Sequence, residues 1–200
     1  MDLFGYDHSL NILPKDGEVN YFGEILTNDQ KQYYYQHLFE TVAWKNDELI
    51  LNGKHIITKR KIAWYGDAPY RYTYSNTTKQ ALVWTKELLE LKKIVEAKAV
   101  VKFNSCLINL YHDGSEGVSW HSDDEYSLDS QTAIASLSFG AARKFSFKHK
   151  QTQKTVSLVL EAGSLLIMKG ETQRYWLHSL PKTKMVDKPR INLTFRVIKG

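Results

Sequence analysis

From Phe103 onward the chain breaks into short runs suited to β-strands, with turn residues between them. The runs fall at 104–111, 117–121, 132–139, 143–149, 154–160, 164–168, 174–178 and 190–198. Many short strands at this spacing predict an all-β sandwich or jelly roll. Two helices packed on one side would complete it, so the expected class is mainly β with flanking helices, α+β in type.

The N-terminal half supplies those helices. Residues 1–26 read as an irregular arm. Thr27 followed by Gln30 is a capping box, and Tyr34, Leu38 and Val42 predict a helix to about Trp44. Glu48–Leu51 and Lys54–Ile57 flank Asn52-Gly53, the favoured pair for a two-residue hairpin turn because both positions need positive φ. An aromatic stretch, 64–74, follows. Residues 81–96, with Leu82, Leu88, Leu89 and Leu91, predict a second helix. No repeat, low-complexity tract or linker is visible, so the whole of 1–200 reads as a single domain.

Composition narrows the class of function only a little. At 42% hydrophobic and 24% charged over 200 residues, the chain reads as one soluble globular domain. A net charge of +5 permits an anionic partner such as nucleic acid without requiring one. The single cysteine, Cys106, excludes an intramolecular disulfide and a Cys-based zinc site, and points to a reducing intracellular compartment. The first residues, MDLFGYDHSLN, lack a signal pattern. No apolar run approaches the ~18 residues that would span a bilayer, so no membrane role is expected.

Chemistry-bearing residues are found in the β-rich half. His121-Ser122-Asp123 is H-x-D, which on a strand sends an imidazole and a carboxylate to one face. Alone this is weak, since with seven His in 200 residues the motif arises readily by chance. His178, in another strand-like run, adds a second imidazole. Two His and one carboxylate on one face of an ion leave its other positions open. That suits Fe(II) and oxygen chemistry, although zinc hydrolases use the same donors.

The segment Arg190-Ile191-Asn192-Leu193-Thr194-Phe195-Arg196-Val197 alternates strictly. A half-buried edge strand with a solvated polar face would explain it. So would a dianion site, with Arg190, Asn192, Thr194 and Arg196 in one register. The two arginines lie roughly 20 Å apart along a strand. Leaning inward, their planar forks could grip the two ends of a short dicarboxylate. Asn109 and Tyr111, also i and i+2, could add neutral hydrogen bonds to it.

Taken in order, these motifs resemble the AlkB family of Fe(II)/2-oxoglutarate-dependent dioxygenases. The series is N-x-Y (Asn109, Tyr111), H-x-D-D-E (His121 to Glu125), Ser136-Leu137-Ser138-Phe139-Gly140, His178, then R-x-N-x-T-F-R (Arg190 to Arg196). Arg60-Lys61 and Tyr65-Gly66-Asp67 extend it upstream, so it covers roughly residues 50–198. The resemblance implies a double-stranded β-helix core at about 103–200, with an N-terminal extension and nucleotide-recognition lid at about 1–102. It implies Fe(II) on His121, Asp123 and His178, with Asp123 thereby part of the catalytic centre. It also implies 2-oxoglutarate on Asn109, Tyr111, Arg190, Asn192, Thr194 and Arg196, with Arg190 at the distal carboxylate and Arg196 at the metal-proximal end. O2 is the third reactant. The activity implied is oxidative demethylation of bases such as 1-methyladenine or 3-methylcytosine in DNA, which is direct-reversal repair.

A methyl group on a Watson–Crick edge is out of reach in a duplex, so the base must be flipped or already unpaired. Tyr72 and Tyr74 could stack on it, the latter by resemblance. Asp124 and Glu125 could attract a cationic base, or merely form a hydrogen-bonded turn. The Asn52-Gly53 hairpin could act as a lid, and Lys54, Lys59, Arg60 and Lys61 suit phosphates. Relatives that work on duplex DNA place an aromatic wedge at this hairpin, where Asn52 stands here, and intercalating residues are usually apolar. Single-stranded DNA is therefore expected to serve at least as well as duplex. The chain is expected to act as a monomer, in the cytoplasm of a bacterium or the nucleus of a eukaryote. The alternatives are an AlkB-like enzyme for RNA or protein, a non-catalytic nucleic-acid-binding module and a zinc hydrolase. The last leaves the C-terminal arginines unexplained.

Overall fold

The computed structural model describes residues 10–51, 53–74 and 77–199. Its N-terminal half runs β1 (Glu18–Glu24), α1 (Asn28–Thr41), β2 (Lys45–Leu51), β3 (Lys54–Gly66), β4 (Arg71–Tyr74), β5 (Thr77–Gln80), β6 (Leu82–Val83) and α2 (Lys86–Ala99). Then come β7 (Ser105–Tyr111), β8 (Val118–His121), β9 (Ile134–Gly140), β10 (Arg143–His149), β11 (Thr155–Leu160), β12 (Ser164–Lys169), α3 (Thr172–Tyr175), β13 (Trp176–Leu180) and β14 (Arg190–Arg196).

Strand pairing builds two facing sheets and a separate two-stranded β4–β5 sheet. The larger has the order β1-β12-β9-β14-β7-β3-β2, with β6 added against β3. The smaller is β11-β10-β13-β8. Period-2 alternation gives each strand two faces. On the large sheet one face packs under the helices: Ile108, Leu137, Phe139, Ile191, Leu193 and Phe195 join Tyr34 and Leu38 of α1 and Leu88, Leu91 and Val95 of α2. The opposite face meets the small sheet. There Val19, Tyr21, Tyr111, Ile134, Leu166 and Met168 pack with Phe145, Phe147, Trp176 and Leu180. This is the jelly roll expected from the strand spacing.

Local signals set the helix ends. In α1 the Thr27 hydroxyl accepts from the Gln30 amide, and the Gln30 side chain accepts from the Thr27 amide. The helix stops at Thr41, short of Trp44, because Val42 turns to extended backbone. The second helix starts at Lys86, where Thr85 caps it, and not at 81. Leu82 and Val83 pair instead with Tyr65 and Gly66.

Two further expectations are corrected, and one open alternative is decided. Residues 18–24 are no loose arm, because β1 pairs with β12 along the large sheet and buries Val19 and Tyr21. The run at 174–178 opens with the helical turn α3, so β13 begins only at Trp176. Most important, β14 is not an edge strand. It lies between β7 and β9, and neither face sees much solvent. The polar residues that suggested a wet face are turned to the inside of the roll.

The β2–β3 hairpin forms as expected. Leu51 pairs with Lys54, and Gly53 has φ +75°, the left-handed region a glycine tolerates. Its long arm β3 continues into the large sheet against β7, so strands from both sides of residue 102 share one sheet. Among the described residues no helix is long and apolar enough to cross a membrane.

Candidate metal centre

Between the sheets lies a cavity of about 890 Å³. That is at the upper end for small-molecule sites, which run roughly 300–1,000 Å³. His121, Asp123 and His178 line it, together with the polar face of β14.

Pairing of β8 with β13 sets His121 directly opposite His178, with ring centroids 4.2 Å apart. The strand ends at His121, so the H-x-D motif is not carried on a strand throughout. Asp123 reaches the cavity from the loop that follows. One donor atom from each of the three residues lies within 4.8 Å of the others. Nδ1 of His121 is 2.8 Å from the Ser119 carbonyl, which can only accept, so that nitrogen carries the proton. Nε2, the other ring nitrogen, is 3.8 Å from Asp123 Oδ1.

His178 is deeply buried, which pushes its imidazole down to about 3 and keeps it neutral. Burial alone would raise the Asp123 carboxyl. The Arg196 guanidinium outweighs this and holds it below the usual range. Arg196 Nη2 donates to Asp123 Oδ2 at 2.7 Å, leaving Oδ1 for other work. Two imidazoles and a carboxylate with one committed oxygen form a donor set that fits Fe(II).

The large sheet supplies the rest. β14 register places Arg190 opposite Tyr111 and Asn192 opposite Asn109 on β7, and Asn192 opposite Ser138 on β9. Asn109, Tyr111, Arg190, Asn192, Thr194 and Arg196 all line the cavity. Arg190 is 1% exposed. It donates to Ser138 Oγ at 2.9 Å and Asn192 Oδ1 at 3.2 Å, and its guanidinium lies 5.7 Å from the Tyr111 ring. Its Nε has no hydrogen-bond partner. Burial lowers it to about 10, Tyr111 opposing and Arg143 assisting, so it remains a cation at neutral pH. A buried cation whose partners are all neutral, among the described residues, is an incomplete ion pair facing a cavity. A carboxylate of 2-oxoglutarate would complete it.

Arg60 also lines the cavity, paired with Asp47 and 5.9 Å from the Tyr111 ring. Glu125 is in the lining, whereas Asp124 is exposed and accepts from Ser122 Oγ in a turn. Gly53 and Lys54 are exposed at the hairpin tip, outside the cavity. Asn52 lies outside the described residues. Of Tyr72 and Tyr74 only the backbone is described, on β4.

Two residues at the site carry no motif in the sequence. Arg143, 2% exposed, donates to the carbonyls of Asp113, Glu116 and Pro181, tying two loops at one end of the roll. Gln173 on α3 accepts from the Asp123 amide at 2.9 Å. Lys150 braces the same loop through Ser122 Oγ and the Gln173 carbonyl. Gln173→Leu should weaken Co(II) binding by about 10–100-fold, as lost outer partners of metal ligands do. Gln173→Glu, which keeps the acceptor, should recover most of it in the same titration. Equal affinity for Leu and native protein would show that the loop holds itself.

A jelly roll enclosing two His and one carboxylate, with an arginine socket alongside, defines the class of non-haem iron oxygenases. The family described as the 2OG-Fe(II) oxygenase superfamily matches residues 18–196. The alpha-ketoglutarate-dependent dioxygenase alkB homolog 3 of Bos taurus is 41% identical over 174 residues, covering 82% of this chain and 60% of that protein. The DNA oxidative demethylase ALKBH2 of Homo sapiens is 42% identical over 154 residues, covering 73% and 59%. The chain thus spans about 60% of the length of these relatives. The solved structure of OsALKBH1 superposes with a TM-score of 0.62 over 92% of this chain and 98% of that one, at 17% identity, a likeness of fold alone. The chain belongs to the 2OG-Fe(II) oxygenase superfamily, within its AlkB family.

Proposed function

We propose that this protein removes N-alkyl groups from bases in nucleic acid, with DNA as the principal substrate, using Fe(II), 2-oxoglutarate and O2. The observation that carries the reading is the meeting, in one cavity, of the His121–Asp123–His178 trio with the incompletely paired Arg190. The names of the relatives, a DNA oxidative demethylase among them, supply the substrate class.

Bound iron, with its co-substrate, supplies the oxidation: 2-oxoglutarate and O2 become succinate and CO2 as a methyl C–H becomes C–OH, and the hydroxymethyl base then releases formaldehyde. The chain's own residues bind and aim. His121 and His178 present ring nitrogens, and Arg196 fixes the Asp123 carboxylate. Arg190 takes the far carboxylate of the dicarboxylate, with Asn109, Tyr111, Asn192 and Thr194 along its length. Facing sheets and the β2–β3 hairpin limit water, and Glu125 places negative charge where a cationic methylated base would lie. Every one of these groups comes from one chain, which supports action as a monomer. A nucleic-acid substrate places it in a bacterial cytoplasm or a eukaryotic nucleus.

The test is mass spectrometry of a 3-methylcytosine oligonucleotide incubated with protein, iron, 2-oxoglutarate and ascorbate. One methyl mass should be lost, and matched RNA and methylated peptide should react more slowly. Because the sequence has a polar Asn52 and no aromatic wedge between β2 and β3, single-stranded DNA should turn over at least as fast as duplex in a paired assay. A large duplex preference would overturn that part of the reading. No mass loss from any substrate would overturn the whole.

A further inference from the structure

A second cavity, of about 520 Å³, opens on the outer face of the small sheet. Its floor is made of small hydroxyl residues: Ser146 pairs with Ser157 on β11 and Ser179 on β13, and Ser146 Oγ is 2.8 Å from Ser157 Oγ. Lys144 and Lys148 flank Ser146 on the same face of β10, because residues two apart on a strand share a face. Lys148 Nζ lies 4.7 Å from the ring centroid of Trp120, which is 39% exposed. Lys182 also lines the groove, and among the described residues none in the lining is acidic. Among the described residues Lys144, Lys148 and Lys182 have no carboxylate partner. Lys31, Lys92, Lys102 and Lys169 elsewhere each have one.

The groove adjoins the metal cavity. Residues 117–120, Leu180 and Lys182 line both. The strand β8 is the edge of the small sheet and carries His121, so a chain leaving the cavity has only this edge to cross.

We propose that this outer face is a track for the single-stranded polynucleotide flanking the target base, which rests on the nucleic-acid substrate proposed above. Phosphates lie on Lys144, Lys148 and Lys182, serine hydroxyls bond the backbone, and a flanking base stacks on Trp120. Lysines that neutralise phosphates release counterions, and an exposed aromatic accepts any base face. Recognition of this kind is independent of sequence.

Fluorescence anisotropy with an unmodified 15-nucleotide oligodeoxythymidylate tests it in the native protein, Lys144→Gln/Lys148→Gln and Trp120→Ala. The double variant should bind roughly tenfold or more weakly at 0.1 M salt. Its plot of log K against log salt should be shallower by about 0.7 for each phosphate no longer neutralised. Trp120→Ala should bind about tenfold more weakly. Demethylation of a trinucleotide with 3-methylcytosine at its centre should be unchanged in the double variant, since that substrate has little chain beyond the cavity. Native affinity for the 15-mer in both variants would overturn the proposal. So would an equal loss on the trinucleotide, which would move the lysines' role into the cavity. Polyglutamate bound as tightly as the oligonucleotide, and released in the same variant, would overturn it in favour of an acidic protein segment. Failure of the native protein on the trinucleotide would count against demethylation alone, because the unmodified 15-mer needs no chemistry.

Discussion

Asp123→Ala should abolish demethylation and cut Co(II) affinity by more than about 100-fold, beyond what loss of an outer partner costs. It removes one of three donors and also the anion that Arg196 faces. Asp123 is 6% exposed and Arg196 half-buried, so the surviving guanidinium is left with a broken, largely dry ion pair. Breaking such a pair costs about 3–5 kcal/mol, and the Ala variant should denature at clearly lower urea. Instability could therefore be mistaken for a ligand role. Asp123→Asn separates the two. Its amide oxygen still accepts from Arg196 Nη2, so the fold should hold closer to native, while a neutral amide is a poor ligand for Fe(II) beside two imidazoles. The expected result is a folded Asn variant with Co(II) absorbance abolished and no methyl mass released. A folded Asn variant that binds Co(II) as native would remove Asp123 from the proposed ligand set.

Much of the site is legible in the sequence because its residues sit in strands with a period of two. The alternation Arg190–Arg196 states which side chains share a face, and Asn109 with Tyr111 does the same on β7. What it cannot state is which face is wet. A strand with one polar face reads as half-exposed, and only its place between β7 and β9, under the helices, turns that face inward. The approach of His121 to His178 depends on β8–β13 pairing across more than fifty residues of chain, which no local pattern encodes. Segment β1 escapes a sequence reading because seven residues with a glycine and acidic ends look like loop until β12 is there to pair with them. Gln173 and Arg143 escape it for a related reason. A single polar side chain that bonds a distant backbone group leaves no periodic trace.

Arg190→Met should give two changes of opposite sign. Without co-substrate, the native side chain is a buried cation bonded, among the described residues, only to Ser138, Asn192 and the ring of Tyr111. Methionine, long and unbranched, removes the cost of keeping that charge dry, so the apo variant should melt no lower than native, with a gain of up to about 1 kcal/mol. With co-substrate the balance reverses. A carboxylate opposite a buried guanidinium forms the kind of pair whose truncation costs about 2–5 kcal/mol, or roughly 30-fold or more in Kd. Thermal denaturation with Mn(II), with and without 2-oxoglutarate, reads both effects at once. Native protein should gain stability as ligand is added, because binding to the folded state alone raises the melting temperature. The Met variant should start at least as high and not respond. Were it instead to melt much lower yet keep the full 2-oxoglutarate shift, Arg190 would be a brace for Ser138 and Asn192, and the dicarboxylate would have to bind elsewhere in the cavity.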